Sequence, residues 1–429
     1  SDLSTIIQSA IKSPDTMSDI DFTAHLTDYN IEVQGEGLEL QNNAIIYNGN
    51  TERNLTFTDT SGEGLKILSS IEGSNLNLNL NAQNLTIGAD SSVSLGGGQG
   101  GNGLKTINID TSTNIEGTGS TTIYSGMKAI ESINIDSELT YIDLDNEVSS
   151  ELVFNTVNSE GTVSFTKAIK TVASDDTIIL ESNTLDLAGI TGFDTVELYA
   201  STINLNSSNL SDAAYIDANT ITATGGSEFN LNADITLSAN DIDLTGAQLA
   251  SYSYDGANAD KTGYSLTLTS DTSAGQFKLN NLTDNTNIAT NDELTNIEGL
   301  IIKGNADSTS TVFISGEITT EQFSVNALNT GTVEVTLTDN LTLNSINEFN
   351  SQNASINGNY NLALNGTGSD QGSVANIGSI SNSSSLTDFS AQEFSEIYLH
   401  DDIKVSTGDI ALSATDIFIS KSKTLNTTE

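Results

Sequence analysis

The chain is 429 residues long and carries 57 Asp and Glu against 13 Lys and Arg, a formal net charge of −44. Such a surface repels phosphate backbones and anionic bilayers, which excludes nucleic-acid binding, and it draws cations, among which Ca2+ best suits hard carboxylate oxygens. Cysteine is absent, which excludes disulfides, thiolate metal sites and cysteine nucleophiles, and no run of roughly 18 apolar residues is present to span a membrane.

The N-terminus at Ser1 has no signal-peptide pattern and reads as a processed chain or an excised fragment. Over residues 1–13, Leu3, Ile6, Ile7, Ala10 and Ile11 recur at helical spacing until Pro14, which predicts a short amphipathic helix. The segment 1–19 is therefore expected as a helical cap over the open end of a core, or as a contact with a partner subunit.

From residue 20 to 429 the dominant signal has period two, with Leu, Ile or Val alternating against Asn, Thr, Ser or Asp. Asn75-Leu76-Asn77-Leu78-Asn79-Leu80 is the clearest run, followed by Thr106–Ile109, Ser265–Thr269, Val333–Leu337 and Asn340–Leu343. Each reads as a strand with one buried and one wet face. Short turn clusters such as Gly225-Gly226-Ser227 and Asn357-Gly358-Asn359 separate the strands, and no linker stands out. The single proline argues against a string of sandwich domains.

Internal echoes point the same way. Leu104-Lys105-Thr106-Ile107-Asn108-Ile109-Asp110 is repeated in texture by Ile130–Asp136, Phe193–Leu198, Ile297–Ile302 and Phe394–Leu399. A second echo, Gly-x-Gly-Leu, ends at Leu38, Leu65 and Leu104. Unequal spacing with recurring inward aliphatics is what a β-helix permits, since its turns vary while its coils stack. With 36% hydrophobic but only 6% aromatic residues and no Trp, the core must be mostly aliphatic. The fold expected is all-β: an elongated parallel β-helix (β-solenoid), continuous over 20–429 and open to subdivision. At roughly 20 to 25 residues per coil and ~4.8 Å per coil, such a rod would be about 90 Å long.

Groups for catalysis are scarce. His25 and His400 are far apart in the chain and Arg53 is the sole arginine, against the basic residues a β-helical polysaccharide lyase needs. No Trp offers a sugar-stacking platform, and among 57 acids any carboxylate pair arises by chance. The expectation is a protein that is not an enzyme. Cation sites are the better prospect. Asp255, Asn258 and Asp260 space three oxygen ligands along a glycine-containing loop, as a Ca2+ loop would; a solvated turn gives the same pattern. Asp143 and Asp145 fall on one face of a strand about 7 Å apart, a pair that either a cation or plain water can accommodate. Asn-x-Ser/Thr triplets such as Asn54-Leu55-Thr56 and Asn340-Leu341-Thr342 follow from the abundance of those residues.

Gly97–Lys105 resembles one copy of the glycine-rich nonapeptide of RTX proteins, with Asn102 where that motif places Asp and no tandem array. The strand frames and the Asn, Thr, Ser, Asp, Leu and Ile bias over residues 30–425 resemble Gram-negative surface-layer proteins and large RTX-type adhesins. Asp416–Ser420 resembles an aliphatic export signal, from which the polar tail Asn426–Glu429 departs. The resemblance implies type I export, Ca2+-dependent lattice assembly and a solenoid. The function expected is a structural subunit of an extracellular cell-surface layer or filament, with Ca2+ bridging acidic surfaces and further copies of the chain or a cell-surface polysaccharide as partners. The alternative is an adhesin passenger or stalk fragment that binds a host or partner-cell ligand.

Overall fold

The computed structural model describes residues 4–8, 26–41, 44–88, 93–97, 103–111, 120–124, 126–137, 139–143, 151–171, 175–206, 215–223, 225–253, 263–270, 274–291, 293–327, 330–368, 372–380 and 384–427. These residues are nearly all strand, and the strands pair in parallel with partners about one coil further along the chain. The chain forms two compact units, Ser1–Asp212 and Ala213–Glu429, each a stack of β-solenoid coils.

In the first unit the described strands stack in three ladders. The first ladder runs through Ile31, Leu55, Leu78, Ile107, Ile133, Val163, Leu185 and Ile203, each on the next in register. All eight are buried. Leu40, Ile67, Ile87, Ile123 and Ile142 stack likewise in the second ladder. Ile45, Ile71, Leu95, Met127, Phe154, Leu180 and Leu198 form the third. The alternating pattern puts every second residue inward, and register places apolar on apolar, so one coil covers the apolar surface of the one before it. A buried Leu or Ile of this kind contributes about 1.5–3 kcal/mol.

Partners in the first ladder lie from 18 residues apart, Leu185 to Ile203, up to 30 apart, Ile133 to Val163. The surplus goes into the connections between ladders, as the irregular repeat requires. Long strands turn these corners without a break: Ile71–Asn81 belongs to the third ladder at Ile71 and to the first at Leu78. Its bend is at Gly73, where φ is +153° and a Cβ would come within 2.7 Å of the Tyr47 carbonyl oxygen. Gly316 does the same in the second unit, at φ +117° with a Cβ position 2.0 Å from the Leu282 oxygen. Only glycine fits either corner.

Register explains the first pair of sequence echoes. Leu104–Asp110 and Met127–Asp136 are successive rungs, with Ile107 on Ile133 and Asn108 on Asn134. The first two copies of the Gly-x-Gly-Leu echo share a polar cause: the buried Asp59 carboxylate accepts from the backbone N–H groups of Gly37, Gly62 and Gly64 at 3.1, 3.0 and 3.0 Å. Asp59 thus ties two consecutive turns together just before Leu38 and Leu65 stack.

The N-terminal expectation needs correction. Ser4–Gln8, inside the segment read as helix, is a strand that pairs in parallel with Asn30–Gln34. Adjacent β-branched residues Thr5, Ile6 and Ile7 favour extended backbone, and the edge of Asn30–Gly35 supplies hydrogen-bonding partners for the peptide groups on the side that faces it. The rest of 1–19 lies outside the described residues.

In the second unit one ladder carries Ile221, Ile242, Phe277, Val312, Val335, Ile356, Ile380, Ile403 and Leu425. Another carries Ile235, Leu266, Leu300, Phe323, Phe349, Ala375, Ile397 and Ile417. A third includes Leu341, Leu362, Phe389 and Ile410. The parallel pattern is interrupted at Ser251–Tyr252, which pairs antiparallel with Leu294–Thr295 beyond a 3-10 turn at Thr286–Thr290.

Candidate functional surfaces

Of the five residues expected to bind a cation, Asp145, Asp255, Asn258 and Asp260 lie outside the described residues. Asp143 follows the strand Leu139–Ile142, is half-buried, and donates its backbone N–H to the Ile123 oxygen at 3.0 Å. Its carboxylate is close enough to act on Asp176, which is 1% exposed. Burial pushes the Asp176 carboxyl above its ordinary range, the Thr171 hydroxyl opposes this by donating to it, and the negative charges of Asp175 and Asp143 push it further up. The structure therefore brings Asp143 to Asp175 and Asp176. Among the described residues no group of three or more His, Cys, Asp or Glu side chains is placed to hold a metal ion.

In the glycine-rich segment, residues 98–102 are outside the described set, and the Gly103 N–H donates to the Gly96 oxygen at 3.1 Å, which closes the loop on itself. His400 meets the Asn376 side-chain oxygen through Nε2 at 3.0 Å and stacks against Tyr398. His25 lies outside the described residues.

The strong negative charge is handled by spacing. Among the described pairings only Asp110 on Asp136 and Glu396 on Asp416 place one carboxylate directly over another. Elsewhere a paired acid faces a neutral or cationic residue in the next coil, as with Glu39 on Lys66, Asp186 on Asn204 and Asp243 on Lys278. Lys105 lies 2.5 Å from Glu52 and 3.8 Å from Glu131. The bond to Glu52 raises the affinity of Lys105 for its proton, and the same bond holds the Glu52 carboxyl below its usual range.

One lateral surface carries amide and hydroxyl columns beside the column in which Asp110 lies over Asp136. On the outer side of the first ladder, Thr56, Asn79, Asn108, Asn134 and Ser164 form a column in register. Asn79 donates to Thr56 at 3.2 Å, Asn108 to Asn79 at 2.9 Å, and Asn134 to Asn108 at 2.8 Å. Beside it, Asn54, Asn77, Thr106, Ser132, Thr162, Thr184 and Thr202 form a second column, in which Asn77 donates to Asn54 and Thr106 to Asn77 at 2.9 and 3.0 Å. Sequence reading placed these residues on a wet face without aligning them. The signal was present, since superposing the echoed frames Leu104–Asp110 and Ile130–Asp136 sets Asn108 beside Asn134.

A different surface ends the second unit. The last rungs, Ile410–Ile419 and Leu425–Thr427, have their apolar columns uncovered, with Ile417, Phe418, Ile419 and Leu425 exposed at 42, 45, 51 and 41%. Phe418 stacks on Tyr398 with centroids 4.7 Å apart. No helix among the described residues is long and apolar enough to cross a membrane. Comparisons with protein-family models, curated proteins and solved structures find no match.

Proposed function

We propose that the chain is a structural subunit of an extracellular cell-surface layer or filament, whose copies self-assemble with Ca2+ bridging their acidic surfaces. The observation that carries this reading is the dispersal of carboxylates along stacked coils. Apart from Asp110 on Asp136 and Glu396 on Asp416, the paired acids among the described residues face neutral or cationic neighbours, with 13 basic residues in the chain to offset 57 acids. Such a surface is solvated alone and opposes a second copy at close range unless divalent ions come between them. Regular coils suit the role, because a stack of rungs is a stiff, repetitive spacer.

The test is electron microscopy of purified protein with millimolar Ca2+ and with a chelator. Ordered sheets or filaments with Ca2+ that disperse with chelator are the expected result. Arrays indifferent to chelator would remove the ion-linked part of the reading. A protein that stays dispersed in both conditions and instead binds host cells would replace the reading with the adhesin alternative.

A further inference from the structure

We infer that the uncovered end of the Ala213–Glu429 unit is a pairing surface for the same end of a second copy of this chain, with the strand Ile410–Ile419 of each copy laid antiparallel on that of the other. The inference deepens the self-assembly reading, and rests on it only in taking a second copy as the partner; the contact needs no metal ion.

The strand itself calls for a cover. Among the described pairings Ile410–Ile419 bonds to Phe389–Leu399 on one side only, so its other edge presents a row of backbone N–H and C=O groups. Ile417, Phe418, Ile419 and Leu425 form an exposed apolar patch along that edge. Water satisfies the backbone groups but is a poor neighbour for the patch, and a strand laid along the edge covers both.

The order of charges selects the partner and its direction. From Ile403 to Thr427 the chain carries Lys404, Lys421 and Lys423 against Asp409 and Asp416, a small positive sum in a molecule of net charge −44. Two such ends approach without the carboxylate excess that the chain carries elsewhere. Lys423 is held in its own chain by Asp401 at 2.6 Å. Asp409 and Lys421 are exposed and bracket the strand, the acid just before its start and the base just past its end. Laid antiparallel, each Asp409 comes beside Ser420 and Lys421 of the other copy, which gives two identical ion pairs. Asp388, whose Oδ1 accepts the Asp409 N–H at 2.9 Å, adds a second carboxylate for the same lysine. Laid parallel, the same strands would set Asp409 on Asp409 and Lys421 on Lys421.

A two-fold contact must be isologous. The strand's midpoint lies at Ala414–Thr415, just past the register shift where it passes from the ladder of Ile410 to that of Ile417. A dyad through this bend lays the Ile410 side of each copy on the Ile417 side of the other. Ile410 then faces Ile419 and Leu412 faces Ile417, inward column on inward column, while Phe418 faces Ala411. Asp416, which lies over Glu396 in its own chain, faces Ser413 and stands three strand positions, roughly 10 Å, from its counterpart.

The experiment is sedimentation velocity of the full chain in chelator over a concentration series, with a dimer expected as the limiting species. Lys421→Glu should weaken the dimer at least tenfold, and adding Asp409→Lys to the same chain should restore it, since each ion pair is then reversed. Lys303→Glu, an exposed change of the same charge that faces Thr269 and Asn326, should leave it unchanged. Cysteine is absent from the chain, so Thr415→Cys under mild oxidation reports the dyad directly, through a disulfide to its own counterpart. A monomer at all concentrations, a series that grows beyond the dimer, a dimer indifferent to Lys421→Glu or not restored by the double variant, or no link at Thr415→Cys would each overturn the inference. Failure of Ca2+ arrays with a surviving chelator-resistant dimer would overturn the lattice reading and leave this one standing.

Discussion

The two units solve the same packing problem with different residues. In Ser1–Asp212 the column from Ile31 to Ile203 is aliphatic throughout, and the large rings of Phe57 and Phe165 stand apart in the column beside it, separated by Leu80, Ile109 and Ile135. In Ala213–Glu429 the column through Leu300 passes to Phe323 and Phe349, whose rings stack 5.7 Å apart at 5°, then to Ala375 and back to Ile397. A small residue directly after two large ones shows what such a column conserves. The space shared by neighbouring rungs is fixed, while the identity of each filler is free within it.

That contrast can be broken most severely at Phe349, 1% exposed. Phe349→Ala should cost about 3–5 kcal/mol in chemical denaturation, because Ala375 below it cannot close the cavity. The converse change, Ala375→Leu, should cost about 1–3 kcal/mol by overpacking against the same ring, and combining it with Phe349→Ala should recover part of both losses. Additive losses in the double variant would show that the column does not share its volume between rungs.

Acidity sharpens the comparison on the polar side. In the first unit Asp176 has a folded pKa raised above its unfolded value, chiefly by burial. Its contribution is favourable below about pH 4, where both states are protonated, and is lost as pH rises through the folded value. Asp176→Asn should therefore strengthen hydrogen-exchange protection of Thr177–Glu181 at neutral pH and change little at pH 3. In the second unit Asp401 is lowered, first by its hydrogen bond from Lys423 at 2.6 Å. Its contribution is present above about pH 4 and disappears as pH falls through the folded value, so Asp401→Asn should weaken protection near Ile403–Val405 at neutral pH only. The same direction of change at both sites would contradict the assigned causes.

The smallest expected effect is at the uncovered rungs. In the monomer at high dilution, Ile417→Thr removes an apolar side chain that is 42% exposed, so its stability change should stay within about 0.5 kcal/mol, while binding of a hydrophobic dye falls measurably. A loss comparable with that at Phe349 would mean this edge is covered within the chain itself.

Much of the fold was legible in the sequence because it depends on an alternation that can be counted. Asn75–Leu80 reads as one wet and one dry face and is built that way, and the echoed frames at Leu104 and Ile130 are consecutive rungs. Pairing was harder to read, since partners 18 to 30 residues apart share no fixed period. Ladder corners depend on single residues such as Gly73 among many glycines. Ser4–Gln8 was misread because Ile6 and Ile7 suit either a helical stripe or an extended edge, and the open strand beside them decides. The site was less legible. Spaced oxygen ligands occur throughout so acidic a chain, and the amide column emerges only when Asn79, Asn108 and Asn134 are stacked in space.

The modest separation between stacked residues also bears on how each unit reaches its structure. In the first ladder no rung waits for a partner more than 30 residues away, so each closure is entropically inexpensive even though all the pairing is parallel, the arrangement that otherwise folds slowly. A finished rung is a template for the next, and assembly within a unit can advance like a zipper. The slow event is the first pair of coils. Substitutions in the earliest rungs to form should delay folding, and substitutions in rungs added afterwards should mainly hasten unfolding.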